Sequence, residues 1–321
     1  MKGSRTIGIG QKLAGQSLLD VLQQSLRIRR AEAAQLIRQG NARINGKACT
    51  SADRRMQLGE RVELSPTEPV EKKAPRSALG HDIVVRHVDA EIVVVEKPAG
   101  LTTVRHADEI KDMGRRAKNF LPQTLVDLLP GVLASQHKRV NGRIRAVHRI
   151  DKETSGLVVL ACTPKAESDL GKQFRAKSTA RRYLGLVRGQ AVDAQIESSL
   201  VRDRGDGRRG SGAQADGQLA VTHVRVVECY SDFTLVECEL DTGRTHQVRI
   251  HLGEAGTPLC GERIYDRPLH GKPFPDTSNA KRPMLHAAHL AFDHPATGKR
   301  VEWDAEMPKD MREIIKRLRI K

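Results

Sequence analysis

The stretch that decides the reading is His148-Arg149-Ile150-Asp151-Lys152-Glu153-Thr154-Ser155-Gly156-Leu157-Val158-Val159-Leu160-Ala161. Its second half, Leu157 to Ala161, is a short apolar run rich in valine and leucine. A run of that length and composition reads as a buried strand. Its first half carries five ionisable side chains: His148, Arg149, Asp151, Lys152 and Glu153. Gly156 separates the halves and permits a sharp backbone entry into the strand. Asp151 is therefore expected on a loop that leads into a core strand, held by rigid structure yet open to a ligand. An aspartate at neutral pH is an anion, and Arg149 and Lys152 are the neighbouring charges expected to favour it. Such a carboxylate can be a nucleophile, a general base or an ion-pair partner. An aspartate satisfied by loop amides and by Arg149 fits the same residues.

The chain has 321 residues, with 55 Lys plus Arg against 39 Asp plus Glu, a net charge of +16. That length allows one large domain or two moderate ones. The positive excess suits a polyanionic partner, nucleic acid above all. Aromatic residues are few, with five Phe, three Tyr and one Trp, which disfavours a general single-strand binder built on stacking platforms. The five cysteines, at positions 49, 162, 229, 238 and 260, form no C-x-x-C pair. That argues against a zinc site and a disulfide framework, and points to a reducing cytoplasm. No apolar run approaches a membrane span of about 18 residues, and Met1 to Gln11 lacks an apolar signal core.

Residues 1–12 read as a loose basic lead-in. Leu18, Leu19, Val21, Leu22 and Leu26 recur with helical spacing, and Ser17 can cap that helix. A second helix is expected from about Arg30 to Gln39, with Ala33, Ala34, Leu36 and Ile37 inward and Gly40 as its C-terminal cap. Arg43-Ile44-Asn45-Gly46-Lys47 reads as a strand entering a tight turn. Arg61 to Leu64 is a further short strand. Ser65 to Gly80 contains three prolines and reads as a linker. The body follows: β-rich runs at Ile83–His87 and Ile92–Glu96, a turn at Lys97–Leu101, and a charged loop or insertion at His106–Asn119. A helix is expected from Thr124 to Leu133, ending at Pro130-Gly131, and another from Pro164 to Lys177. Strands are expected at Thr179–Gly189, Val221–Val227 and Phe233–Leu240. Asp203–Gln218 reads as a flexible surface loop, and Met311–Ile320 as a helix. His246 and His251 lie five apart with no convergent carboxylate or cysteine pattern; on a strand they face opposite sides, and no metal is expected there.

His148 to Gly156 resembles the signature loop of the RluA family of RNA pseudouridine synthases, H-R-L-D-x-x-T-S-G, with Ile150 for Leu. Ala180-Arg181-Arg182-Tyr183 to Gly189 is similar to that family's K-x-Y-x-x-x-V-x-G, with Arg181 for Lys. Thr242-Gly243-Arg244-Thr245-His246-Gln247-Val248-Arg249-Ile250-His251 resembles its third motif. Lys97-Pro98-Ala99-Gly100 is similar to its N-K-P-x-G segment, with Glu96 for Asn and Thr103-Val104-Arg105 in place of the usual hydrophobic-His-Pro. Gly261-Glu262 stands where the family has G-D. Residues 14–65 resemble an S4-type RNA-binding domain, with Arg29, Arg30, Arg38, Arg43 and Lys47 on its basic face.

The resemblance implies an α+β chain: an S4-type domain over 14–65, a linker over 66–80, and a catalytic domain over 81–321 with a mixed, largely antiparallel sheet. It implies isomerisation of uridine to pseudouridine in RNA, large-subunit ribosomal RNA before transfer RNA. It makes Asp151 the catalytic residue, with Tyr183, Arg149 and Arg244 toward the substrate and Arg244 paired with Asp151. The isomerisation needs no cofactor, and no metal is expected. A cytoplasmic monomer with RNA as its partner completes the expectation. The reading from another class is a non-catalytic RNA-binding ribosome-assembly factor, which has no need of Asp151, Tyr183 and Arg244 together.

Overall fold

The computed structural model describes residues 5–26, 28, 30–38, 41–49, 51–64, 82–105, 122–138, 140, 142–213 and 217–320. The expected linker, the charged insertion, Gly40 and Arg29 lie outside the described residues. The chain divides into two compact units, residues 1–75 and 76–321.

In the first unit, strand β1 (Arg5–Gly8) precedes helices α1 (Leu18–Leu26) and α2 (Arg30–Arg38). Strands β2 (Ala42–Ile44), β3 (Lys47–Ala48) and β4 (Arg61–Leu64) follow. They form one sheet in the order β1-β4-β2-β3. The expected lead-in is thus partly a strand: Arg5 to Gly8 pairs antiparallel with Leu64 to Arg61. The cap on α1 is the expected one, since Asp20 N–H donates to Ser17 Oγ at 3.2 Å. Asn45 and Gly46 both have positive φ, 49° and 81°, as a two-residue hairpin turn requires. Leu18, Val21, Leu22, Ala33, Ile37 and Val62 are fully buried and hold helices to sheet.

The second unit carries one large sheet. Its strands are β5 (Val84–Val88), β6 (Ile92–Lys97), β7 (Arg145–Ala146), β8 (Ser155–Ala161), β9 (Ala180–Arg188) and β10 (Ala194–Val201). They continue with β11 (Gly210–Ser211), β12 (Gln218–Cys229), β13 (Phe233–Leu240), β14 (Leu285–Asp293) and β15 (Arg300–Asp304). The order is β11-β10-β12-β13-β9-β14-β8-β6-β5, with β15 on β14 and β7 on β8. Among the described pairings only β8 with β14 is parallel. Helices α3 (Leu125–Ser135), α4 (Pro164–Ala176), α5 (Gln247–Glu254) and α6 (Lys309–Leu318) complete the unit. This is the expected α+β architecture. No described helix is long and apolar enough to cross a membrane.

Every residue of β8 is buried, which explains an apolar run with no alternation. At its entry Gly156 has φ +116°, and a Cβ there would lie 2.2 Å from Ala287 O and 2.7 Å from Ala287 N. Glycine is needed for the close approach of β14 as well as for the turn.

Three expectations change. Helix α3 does not stop at Pro130-Gly131 but runs to Ser135. Only one bond, toward Val126, is lost to Pro130, and buried Leu125, Leu129 and Leu133 hold both sides of it. The Asp203–Gln218 segment includes β11, whose Gly210 and Ser211 pair with Val201 and Leu200. Gln247 to Glu254 is a helix and not a continuation of the strands before it. Its alternation of Val248, Ile250 and Leu252 mimics a strand, but all residues from Gln247 to Gly253 are buried. A helix buried all round has no polar face to betray its period.

At the edge of the sheet His87 Nε2 and His294 Nε2 each lie 2.8 Å from Asp89 Oδ2. The N–H groups of Ala296 and Thr297 donate to His294 Nδ1 at 3.3 and 3.4 Å. Nε2 of His294 therefore carries its proton and donates to Asp89, closing a hydrogen-bonded clasp.

Candidate active site

Asp151 lies on the loop before β8, where the sequence put it, and its side chain is 18 % exposed. The loop is fixed from three directions. Val159 N–H donates to His148 Nε2 at 3.0 Å, and His148 stacks on Phe174 with centroids 4.5 Å apart. Desolvation, aided by the Arg181 charge, pushes the His148 pKa down to about 3, so it serves as a neutral acceptor. Thr103 Oγ1 donates to Ile150 O at 2.8 Å. Lys97 Nζ donates to Pro98 O at 2.8 Å and Lys152 O at 3.2 Å, and Gly100 N–H donates to Lys152 O at 2.8 Å.

Lys97 is 1 % exposed. Desolvation pulls its pKa down to about 7, against the pull of Asp151 in the opposite direction. The sequence reading saw only a turn here. A lysine inside Val-Val-Val-Glu-Lys-Pro was the available signal, because a charge in a buried strand demands partners. Thr103, a departure from the family pattern, is buried and supplies one of the loop's tethers.

The cation facing Asp151 is Arg249, with Nη1 3.5 Å from Oδ2. The expected pairing of Asp151 with Arg244 is therefore corrected. Arg244 is exposed, and its Nε donates to Leu219 O at 3.0 Å. The physical reason is the helix: α5 turns Arg249 inward, while Arg244 stays in the loop before it. Arg149 is exposed and Lys152 is exposed; neither forms an ion pair with Asp151 among the described residues.

Arg249 is itself held by Glu262, whose side chain is fully buried. Arg249 Nε and Nη2 donate to Glu262 Oε2 and Oε1 at 2.7 and 2.9 Å. Glu262 Oε1 also accepts from the N–H groups of Arg263, Ile264 and Tyr265. Burial pushes the Glu262 carboxyl up, but Arg249 and these amides outweigh it and hold the group ionised. Glutamate where the family has aspartate thus makes a two-point bond to the arginine that faces Asp151.

The loop before α5 is organised by buried Gln247. Its Oε1 accepts from Thr242 Oγ1 at 2.7 Å and from Arg244 N–H at 3.0 Å. Its Nε2 donates to Val221 O and Thr222 Oγ1, both at 2.9 Å. His246 begins the helix with φ +60°. Its Nε2 is 3.9 Å from Asp151 Oδ1, and its Nδ1 is 2.7 Å from Tyr265 Oη. His251, by contrast, is spent on structure, with Ser198 Oγ 3.0 Å from Nε2 and Thr222 Oγ1 2.9 Å from Nδ1.

Asp151, Arg149, Tyr183, Arg244, His246 and Arg249 all contribute to one cleft of about 420 Å³. The volume suits a nucleoside. Tyr183 is half-buried, and desolvation pushes its phenol up to about 12, so it offers a ring face and a protonated hydroxyl. Beside this cleft lies a cavity of about 850 Å³ with Arg202, Arg204 and Arg209 in its walls. Arg244 belongs to the walls of both. Arg204 is committed to Asp206 and Glu254. Arg202 and Arg209 have no acidic partner among the described residues. Of the expected residues on the basic face of the first unit, Arg30 is exposed with Asp20 Oδ1 3.3 Å from Nη1, and Arg43 is exposed. Arg38 and Lys47 sit on α2 and β3; their side chains, like Arg29, lie outside the described residues.

A buried strand that delivers one carboxylate into a nucleoside-sized cleft, opposite a fixed arginine, defines an enzyme of the class the sequence resembles. The chain belongs to the RNA pseudouridylate synthase family, whose model matches residues 91–254, and is an isomerase that converts uridine to pseudouridine in RNA. It is 36 % identical over 296 residues to an uncharacterized RNA pseudouridine synthase of Bacillus subtilis, covering 90 % of this chain and 89 % of that protein. It is 38 % identical over 238 residues to ribosomal large subunit pseudouridine synthase D of Zymomonas mobilis, covering 72 % and 71 %. Among solved structures, human RNA pseudouridylate synthase domain containing 4 shares the fold with a TM-score of 0.58 at 23 % identity, over 76 % of this chain and 95 % of that one.

Proposed function

We infer that the cleft isomerises a uridine of large-subunit ribosomal RNA, with Asp151 as the catalytic carboxylate. The observation that carries this reading is the approach of Arg249 to Asp151, 3.5 Å apart inside a nucleoside-sized cleft. The glycosidic bond breaks, the uracil turns, and C5 joins C1′. Arg249 keeps the carboxylate aimed, whether it attacks C1′ or takes a proton from C2′. Tyr183 offers its face to an extruded base, as a uridine stacked in RNA is out of reach. Arg149 and Arg244 stand at the cleft for the flanking phosphates. Arg202 and Arg209 extend that positive surface into the adjoining cavity. Ribosomal RNA is preferred because relatives of this chain bear the name ribosomal large subunit pseudouridine synthase D.

The first unit we read as an S4-type RNA-binding domain joined by a linker over 66–80, with Arg29, Arg30, Arg38, Arg43 and Lys47 toward phosphates. The protein would act as a monomer in the cytoplasm, without metal or cofactor.

Tritium release from C5-labelled uridine tests the reading, using transcripts of large-subunit ribosomal RNA and of transfer RNAs. Release from the ribosomal transcript by wild-type protein, and none by Asp151→Asn with RNA binding kept, is the expected result. Turnover by pure Asp151→Asn, or release from transfer RNA alone, would overturn the residue or the substrate. In the full chain, Arg30→Glu with Arg43→Glu should weaken RNA affinity and flatten its salt dependence while leaving the rate at saturation unchanged. An unchanged salt slope would remove the role given to the first unit.

A further inference from the structure

We propose that His246 is the base that takes the C5 proton in the last chemical step, with Tyr265 holding its ring in place. This rests on the reading of the cleft given above. Once C5 has joined C1′ it is tetrahedral and still holds its hydrogen. Removing that proton returns the C5–H electron pair to the ring as the C5=C6 double bond. The C6=N1 pair moves onto N1, which takes up one proton, so the whole change remains an isomerisation. The step is common to both routes open to Asp151.

Geometry singles out the imidazole. The sugar carbon that reacts must touch Asp151, and C5 must be bonded to C1′ at this stage. A base for the C5 proton therefore has to stand within a few ångströms of the carboxylate, on the cleft side. His246 Nε2 lies 3.9 Å from Asp151 Oδ1 and lines the cleft. That distance is too long for a hydrogen bond, so the nitrogen is not committed to the carboxylate. The other ring nitrogen is committed, at 2.7 Å from Tyr265 Oη. In the tautomer that carries its proton on Nδ1 and donates it to Tyr265 Oη, the lone pair of Nε2 is free toward the cleft.

The backbone supports a working role. His246 has φ +60°, a conformation that costs a side chain about 1–2 kcal/mol and that glycine adopts freely. Its side chain makes no capping bond to α5. Burial draws the imidazole's basicity down, Asp151 opposes this, and Arg249 and Arg209 add to it. The ring is thus neutral and ready to accept at neutral pH. The competing base, Tyr183, holds its proton up to about 12.

Single-turnover pseudouridine formation at saturating enzyme, on a large-subunit ribosomal RNA transcript with hydrogen or deuterium at uridine C5, decides the matter. His246→Asn is the variant of choice, since asparagine tolerates positive φ and is no base. It should bind RNA as wild type does and form pseudouridine about 100-fold or more slowly. A primary deuterium effect should emerge or grow, because C5–H cleavage becomes limiting, and added imidazole should restore part of the rate. Tyr265→Phe should give a smaller fall with the same isotope signature. A near-normal rate in His246→Asn, or a slow rate with neither isotope effect nor imidazole rescue, would overturn the proposal. No pseudouridine from wild-type protein would instead overturn the reading of the cleft, and this inference with it.

Discussion

Arg249 Nη1 lies 3.5 Å from Asp151 Oδ2 while the rest of the same guanidinium is clamped by Glu262. One planar group therefore bridges two carboxylates, which an ammonium cannot do with the same fixed geometry. Arg249→Lys should fold and bind RNA yet turn over about 100-fold or more slowly, as orientation is lost. Arg249→Ala leaves Glu262 buried without its partner and should cost about 3–5 kcal/mol of stability. Arg244→Lys should turn over at near the wild-type rate. Single-turnover rates with urea melts separate the three, and a normal rate in Arg249→Lys would exclude this arginine from the chemistry.

Stability should rise with pH through Lys97. Its folded pKa is about 7 against 10.5 for the free group. Between those values the unfolded chain binds more protons than the folded one, so stability increases from about pH 7 toward 10.5 and the penalty is fully present below 7. Lys97→Met lacks this titration. The stability of wild type minus that of Lys97→Met, from denaturant melts at pH 7 and pH 9.5, should therefore grow with pH. A constant difference would show that the ammonium is not desolvated in the folded state.

Gly156→Ala should be destabilised by about 3 kcal/mol or more, from a strained backbone and a forced shift of β14. The Cβ has only 2.2 Å to Ala287 O. A loss below about 1 kcal/mol would mean that the two strands part cheaply.

Arg202→Glu with Arg209→Glu should weaken RNA binding and lower the slope of log K against log salt by about 0.7–0.9 for each phosphate contact removed. Equal salt slopes in variant and wild type would show that RNA does not enter the adjoining cavity.

What the sequence disclosed followed from how strongly local pattern constrains structure. The apolar run of β8 and the Asn45-Gly46 turn were legible because each is set by its own few residues. The position of Asp151 before β8 was legible for the same reason. The partner of Asp151 was not. Arg244 and Arg249 lie five residues apart in one motif, and only the helical turn of α5 says which faces inward. That turn was hidden because α5 is buried on every side, its polar residues included. The tethers from Lys97, Thr103 and Gln247 were also hidden, since each joins groups distant along the chain: Thr103 to Ile150 spans 47 residues and Lys97 to Lys152 spans 55. Glu262 read as a departure from the family motif; only the fold reveals it as the clamp on Arg249.

The place of β14 in the sheet has a temporal consequence. Asp151 belongs to the half formed by β8, β6 and β5, whereas Tyr183 belongs to the half from β9 to β11 and the helix bearing Arg249 follows that half. Only β14 joins them in the described sheet order, and it begins at Leu285, after every residue assigned here to the chemistry. Each half can pair its own strands before β14 is made, because the partners of β8 and β9 within their halves, β6 and β13, precede β14 in the chain. Catalytic competence has to wait for a late strand that carries none of the catalytic groups. A nascent chain stopped short of β14 would hold the complete set of those groups and still be inert.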